Sequence, residues 1–184
     1  WARDLKGNEG YCVSYVIVQD PFGNCLPAAP LSAAGVLQTE PLDDNQGVGE
    51  AGVELSGTGP GLPNLDVFDQ TDDNGLYLFG GIIPLNTSYT ITPLKDDNPM
   101  NGVSTFDLVL ISKHILGFEP LNSPYKMIAA DINKSNSVTS FDIVELRKLI
   151  LGIYTDFPQN TSWRFVDRDF VFTQPDNPFA SVPF

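Results

Sequence analysis

The sequence predicts an α+β protein of several modules, in which an antiparallel β-sandwich precedes a small all-α module. Three observations support this class. Short β-like runs separated by turn clusters fill the chain between residues 34 and 95, apolar helical patterns follow, and part of the helical region is repeated. We therefore divide the chain into residues 1–25, 26–95, 96–153 and 154–184.

The charge of the chain is acidic and unevenly placed. The formal net charge is −13, and the eleven carboxylates between Lys6 and Lys95 have no Lys or Arg among them. Such a surface repels phosphate backbones, so we expect no nucleic-acid partner. No apolar run approaches the roughly 20 residues that cross a bilayer, so we expect no membrane span. Because Trp1 is not an initiating residue, we expect a piece of a longer chain.

Residues 10–20, GYCVSYVIVQD, alternate and are rich in β-branched and aromatic residues, which predicts a strand. One strand cannot bury a face alone, so we expect residues 1–25 to supply the terminal strand of a preceding Ig-like domain or a strand donated to a neighbour. Three states remain open for the two cysteines. Cys12 and Cys25 form a mutual disulfide worth roughly 3 kcal/mol, stay buried as free thiols, or Cys12 pairs with a cysteine upstream.

The region up to Lys95 has the pattern of an antiparallel sandwich. The runs VELS and YTITP alternate strictly, and DDNG is a hairpin turn signal. The stretch resembles the prealbumin-like sandwiches of the collagen-adhesin B-type and carboxypeptidase-regulatory families, which share the rhythms G-V-x-V-x-L, T-D-x-x-G-x-Y-x-F and Y-x-I-x-P. The predicted inward-facing residues are Val53, Leu55, Val67, Tyr77, Phe79, Tyr89 and Ile91.

The helical region contains an internal duplication. Residues 96–117 and 131–152 share eleven identities in 22 positions at a constant offset of 35. Each copy predicts a loop followed by a helix, with a short linking helix between the copies. The predicted helix ends are the caps Ser104/Thr105 and Thr139/Ser140, the left-handed stops Gly117 and Gly152, and Ser123 with Pro124 for the linking helix.

The loop of the second copy has oxygen-bearing residues at the ligand positions of an EF-hand calcium loop. Those positions are 1, 3, 5, 7 through the backbone carbonyl, 9 and 12. Asn136 replaces the usual glycine at position 6, which Asn tolerates because it visits the left-handed region. We also expect Val138 to pair with Val103 in a short two-stranded backbone contact. The predicted ligands are Asp131, Asn133, Ser135, Ser137 through its carbonyl, Thr139 and Asp142.

The loop of the first copy has a less complete ligand set. Position 5 is Met100, whose thioether is a poor partner for a hard cation, so water or a shifted backbone oxygen would have to replace it. An Asx-rich turn without metal explains a single Asp or Ser, but not oxygens that recur in both copies. We therefore expect two Ca²⁺ sites. The predicted ligands of the first are Asp96, Asn98, the carbonyl of Gly102, Ser104 and Asp107.

The duplicated loop and helix lacks the entering helix of a full EF-hand and is similar to the type I dockerin module, also called an F-hand module, over residues 96 to about 153. The resemblance implies that calcium organises the module and that two near-symmetric faces can bind a cohesin domain. Dockerins that bind cohesins expose small hydroxyl residues at positions 10 and 11 of each copy. Here position 11 holds Phe106 and Phe141, which predicts core or intramolecular contacts instead.

The tail, residues 154–184, is aromatic and proline-rich, so we expect an extended segment that packs on the modules with Trp163 and Phe165 as anchors. Carbohydrate stacking on these rings is an alternative. The single histidine, His114, is predicted to be a partly exposed structural residue, and the sequence has no nucleophile motif or phosphate loop. We therefore expect no enzymatic activity.

Together these features predict a non-catalytic, calcium-stabilised structural module of a secreted or cell-surface bacterial protein, such as an adhesin, a stalk or a self-assembling fibre subunit. The expected partners are other domains of the same chain or identical subunits. The alternative is a dockerin-type adaptor that binds a cohesin-bearing partner.

Overall fold

The computed structural model describes residues 2–3, 9–10, 31–40, 45–58, 65–83 and 88–180. The chain divides into two compact units, Trp1–Pro30 and Leu31–Phe184. In the first unit, strand β1 (Ala2–Arg3) pairs antiparallel with strand β2 (Glu9–Gly10). Apart from Gly10, the predicted strand over residues 10–20 lies outside the described residues, as do both cysteines.

The second unit begins with two antiparallel sheets. Its strands are β3 (Leu31–Val36), β4 (Gly52–Thr58), β5 (Leu65–Gln70), β6 (Leu76–Ile83) and β7 (Ser88–Leu94). Strand β3 pairs with β6, and β4 lies between β5 and β7. Along β4, Val53 and Leu55 are fully buried while Glu54 and Ser56 are half-exposed, as the period of two requires. Helices follow these sheets, so the predicted α+β order is confirmed.

Buried side chains from both sheets form one apolar cluster, which consists of Ala33, Val53, Leu55, Phe79 and Ile83. Three of the predicted inward-facing residues belong to it, and Val67, Tyr77 and Ile91 pack against it half-buried. The prediction was wrong for Tyr89, which is 47% exposed. It lies at the start of β7, an edge strand whose first three residues are all exposed. Its alternating position points inward, but the cluster ends before reaching it.

The predicted hairpin at residues 72–75 is wrong, because the turn connects two different sheets. Strand β5 precedes it and β6 follows it, and each pairs with other strands. Asp72 Oδ1 accepts the N–H groups of Leu76 and Asn74, both at 2.9 Å, and these bonds hold the pKa of Asp72 below its ordinary value. Gly75 has a φ of 76°, so the chain does turn at the glycine as the DDNG signal predicts. A local turn signal shows that the chain reverses, not which strands then pair.

Three helices follow the sheets: α1 (Thr105–Ile115), α2 (Pro124–Ala130) and α3 (Ser140–Ile150). The predicted caps are confirmed. Ser104 and Thr139 cap α1 and α3 in capping boxes, and Ser123 caps α2. The predicted stops are also confirmed, since Gly117 and Gly152 have φ values of 71° and 69°.

A second buried cluster lies among the helices and consists of Ile111, Ala130, Ile132 and Leu146. Val103 and Val138 pack against it, but their backbones form no β-bridge, so that prediction was wrong. The Val103 N–H is bonded within its own loop, to the Met100 carbonyl at 3.1 Å. Within the described part of the chain, no helix is long and apolar enough to cross a membrane.

The tail runs from α3 to a short 3₁₀ turn at Pro178–Ala180 and contacts the helical region through its aromatic rings. Phe157 packs against the second cluster. Phe172 meets the Tyr125 ring of α2 edge-on, with ring centroids 5.5 Å apart. Trp163 and Phe165 are half-buried and stacked, with centroids 6.4 Å apart.

The substitution Thr71→Val tests the two hydrogen bonds that connect Thr71 to the backbone of the segment before β4. Thr71 is 4% exposed, and its Oγ1 accepts the Ala51 N–H at 2.9 Å and donates to the Val48 carbonyl at 2.7 Å. Valine keeps the shape but leaves both buried groups unpaired, so we expect the free energy of unfolding in urea to fall by about 1–3 kcal/mol. Thr90→Val, at an exposed site on β7, is the control and should change it little. Equal effects of the two variants would contradict this role.

Candidate metal centre

The loop of the second copy connects the end of α2 to the start of α3, and each helix end places one carboxylate in it. Asp131 is the residue that caps the C-terminus of α2. Asp142 is the third residue of α3, in the capping box with Thr139. Both side chains have a relative exposure of 0%. Two acidic side chains at the two ends of one loop are thus buried, where charge must be compensated.

Backbone amides of the loop bond to both carboxylates. Asp131 Oδ1 accepts the Ser135 N–H at 2.8 Å, and Oδ2 accepts the Asn136 N–H at 3.0 Å. Asp142 Oδ1 accepts the Asn133 N–H at 3.2 Å. Lys134 and Asn136 have φ values of 54° and 60°, which bends the loop back onto Asp131. The left-handed conformation expected at Asn136 is confirmed.

The other predicted ligand oxygens lie beside these carboxylates. Ser135 Oγ is 3.4 Å from Asp131 Oδ1 and 3.2 Å from the Ser137 carbonyl oxygen. Asn133 Oδ1 accepts the Ser135 N–H at 3.1 Å. Thr139 Oγ1 is used by the cap, where it accepts the Phe141 N–H and lies 3.1 Å from Asp142 Oδ2. Contacts therefore connect the predicted ligand residues at positions 1, 3, 5, 7 and 12 of the loop. Position 9, Thr139, is connected to position 12, Asp142, through the capping box.

This donor set fits a calcium ion. Every side chain in it offers oxygen, which Ca²⁺ prefers to nitrogen or sulfur. Its two buried carboxylates balance the charge of one divalent cation. Among the residues that the structure describes, no three His, Cys, Asp or Glu side chains form a metal cluster, so neutral oxygens would have to complete the coordination.

The loop of the first copy is arranged differently. Asp96 and Asn98 are exposed, and Met100 at position 5 is 42% exposed. Its left-handed residues are Asn98 and Gly102, at positions 3 and 7, whereas those of the second loop are at positions 4 and 6. The C-terminal half does match the second copy. Asp107 Oδ2 accepts the Ser104 N–H at 2.7 Å and lies 3.0 Å from Ser104 Oγ.

The tail contacts both loops through polar side chains, which its aromatic and proline-rich pattern does not predict. Asn160 Nδ2 donates to the Asp131 carbonyl at 3.1 Å, and Ser162 N donates to Asp96 Oδ1 at 2.8 Å. Arg164 Nη1 lies 3.6 Å from Asp131 Oδ2 and donates to the Ile128 carbonyl at 3.3 Å. Burial lowers the pKa of Arg164, and the charge of Asp131 partly offsets this shift. Arg164 and Ile128 are 36 positions apart, so no local motif could have signalled the contact.

Position 11 of each copy is exposed, which corrects the predicted burial of its phenylalanine. Phe106 is 62% exposed and Phe141 is 71% exposed. They lie in the first turns of α1 and α3, and their rings face away from the cluster that the two helices share. Further exposed apolar residues recur at the same offset of 35. These are Val109 with Val144, at 47% and 44%, and Leu116 with Leu151, at 66% and 67%. We call the two sets, Phe106/Val109/Leu116 and Phe141/Val144/Leu151, the paired apolar faces.

His114 lies in the last turn of α1 and is half-buried. Its Nδ1 accepts the Leu121 N–H at 3.1 Å. This bond holds the segment after α1 against the helix, which is a structural use of the imidazole.

The comparison with known families identifies the helical region. Residues 96–151 match the sequence model of the dockerin type I domain, over less than a third of the chain. This segment is therefore similar to dockerin type I domains, a class that binds calcium and cohesin-type partners and occurs in extracellular or cell-surface proteins. No curated protein and no solved structure matches the chain.

The substitution Asp131→Asn tests the second loop as a calcium site. It keeps the shape of the side chain and one of its two acceptor oxygens but removes one of two ligand charges, so we expect calcium affinity to fall roughly tenfold or more, since ligand charge count tunes such loops. Isothermal titration calorimetry measures the change. Asp176→Asn, an exposed position in the tail, makes the same change in net charge and should leave the affinity unaltered. Unaltered affinity in Asp131→Asn would contradict the assignment.

Proposed function

We propose that the chain is a non-catalytic, calcium-stabilised structural module of a secreted or cell-surface bacterial protein, such as an adhesin, a stalk or a self-assembling fibre subunit. In this proposal its two sheets form a prealbumin-like sandwich, and both duplicated loops hold Ca²⁺. The observation that carries the proposal is the complete burial of Asp131 and Asp142 in one loop. Its partners would be other domains of the same chain or identical subunits.

The burial of two carboxylates supports a structural use of calcium. A buried charge without compensation is costly, and hydrogen bonds from loop amides offset only part of that cost. A divalent cation between the two carboxylates supplies the missing charge. It also ties the end of α2 to the start of α3, so the ion would fix the angle between these helices.

Contacts between the sheet region and the helical region support a stiffening role. Ser123, the cap of α2, donates through Oγ to Glu40 Oε1 at 2.6 Å. Lys95 Nζ lies 3.1 Å from Asp97 Oδ2 and 3.4 Å from the Glu50 carbonyl oxygen. The last strand, β7, ends at Leu94, so the first loop begins with almost no connecting chain. Both features favour a fixed arrangement over a flexible tether.

The melting temperature in calcium and in EDTA tests this function. Binding to the folded form alone stabilises it by about 2.7 kcal/mol at a hundredfold excess over the dissociation constant. We expect a rise of roughly 5–10 °C, given the size of the chain. Magnesium at the same concentration is the control, and should give a smaller rise because it demands tighter octahedral geometry. Identical melting in calcium and EDTA would refute the proposal.

The paired apolar faces favour a second function, that of an adaptor which binds a cohesin-bearing partner. Their residues are exposed and repeat at the offset of the duplication. Exposed aromatic side chains are frequent anchors of protein interfaces. In this proposal a cohesin-type domain with an apolar recess, in place of the usual hydroxyl contacts, binds either face.

The double substitution Phe106→Ala with Phe141→Ala tests the adaptor function. We expect it to weaken binding to a cohesin-type domain roughly 30-fold, the effect of losing an anchor worth about 2 kcal/mol. Each single variant should still bind, because the other face remains. Phe68→Ala, 65% exposed on β5, is the matched control. Surface plasmon resonance against a panel of cohesin domains measures the affinities, and equal binding by the double variant would exclude these faces.

A further inference from the structure

The tail segment 160–164 crosses both duplicated loops at their first ligand positions. Its three contacting residues alternate along the chain. Asn160 and Arg164 bond to Asp131 of the second loop, and Ser162 bonds to Asp96 of the first. A further bond joins Ser162 Oγ to the Asp97 carbonyl at 2.9 Å. We call Asn160, Ser162 and Arg164 the clasp.

Four donor groups surround the carboxylate of Asp131. An ionised carboxylate has about four lone-pair sites. On Oδ1 the partners are the Ser135 N–H and, at 3.4 Å, the Ser135 hydroxyl. On Oδ2 they are the Asn136 N–H and Arg164 Nη1. A metal ion that approaches Asp131 Oδ2 therefore meets the guanidinium of Arg164 at the same oxygen.

Arg164 is the partner that a cation would displace. The two amides are fixed by the backbone of the loop, and the Ser135 hydroxyl is itself a predicted ligand of the ion. Arg164 alone carries a positive charge, which a divalent cation repels. Its contact is also long, at 3.6 Å, and its Nη2 is buried without a hydrogen-bond partner among the described residues. This pairing is incomplete, so little is lost when the guanidinium moves away.

We propose that Arg164 and a calcium ion compete for Asp131, so that the clasp substitutes for the ion when calcium is absent and is released when calcium binds. This inference rests on the calcium-binding function proposed above. Without calcium, Arg164 would be the cation that balances the buried Asp131, with its own side chain only 11% exposed. With calcium, residues 160–164 would leave the loops. Calcium would then control where the aromatic tail lies.

The test compares Arg164→Gln with Arg168→Gln in the full chain. Both remove one positive charge from the tail, but Arg168 is exposed and lies beyond the clasp. For Arg164→Gln we expect calcium to bind about fivefold more tightly, because the ion no longer displaces the guanidinium, and the attraction between two unit charges about 4 Å apart in a water-like dielectric corresponds to that change. We also expect a lower melting temperature in EDTA and hence a larger rise on adding calcium. Arg168→Gln and Arg164→Lys should behave like the unchanged protein. If calcium raises the melting temperature of Arg164→Gln and of Arg168→Gln by the same amount, the proposed competition between Arg164 and calcium is wrong.

A second measurement covers the case in which Arg164→Gln does not fold. Trp163 lies inside the clasp, and in a Trp1→Phe background it is the only tryptophan. Its fluorescence should change with calcium, at the midpoint found by calorimetry. Calcium binding without any change in this emission would overturn the clasp but leave the calcium function intact. Absence of calcium binding by the unchanged protein would overturn both.

Discussion

Two carboxylates buried where helices begin and end are the constraint around which the helical region is organised. Asp131 and Asp142 have no exposure to solvent, and a buried charge must find compensation close by. Loop amides, the capping box and the tail arginine all bond to these two side chains. Each contribution is partial, and none supplies two positive charges. A calcium ion would supply both charges, and calcium is the ion that dockerin type I domains bind.

The duplication has different consequences inside and outside the domain. On the outside, the paired apolar faces keep the symmetry of the repeat, with closely similar exposure at each matched position. Inside, the two loops have diverged. The second buries both of its carboxylates and folds back onto Asp131, whereas the first exposes Asp96 and carries Met100. A repeat can therefore keep two similar apolar surfaces while its two loops differ in chemistry.

Stiffening and docking are compatible uses of one structure. The hydrogen bond from Ser123 to Glu40 connects the start of α2 to the segment that follows β3. The paired apolar faces lie on α1 and α3, away from that bond in sequence. A module held in this way could present its faces in a defined direction, and an interface gains affinity when its parts need no further ordering.

The sequence by itself determined the local features: the α+β order, all three helix caps, the two glycine stops, the oxygen pattern of the loops and most of the sheet core. These depend on periodicity, capping chemistry and turn propensity within a few residues. Only the tertiary structure decided that residues 72–75 join different sheets, that Tyr89 extends past the core, that Phe106 and Phe141 face solvent, and that Arg164 reaches Asp131. Burial and pairing depend on which distant segments meet, and sequence spacing carries no signal for such contacts.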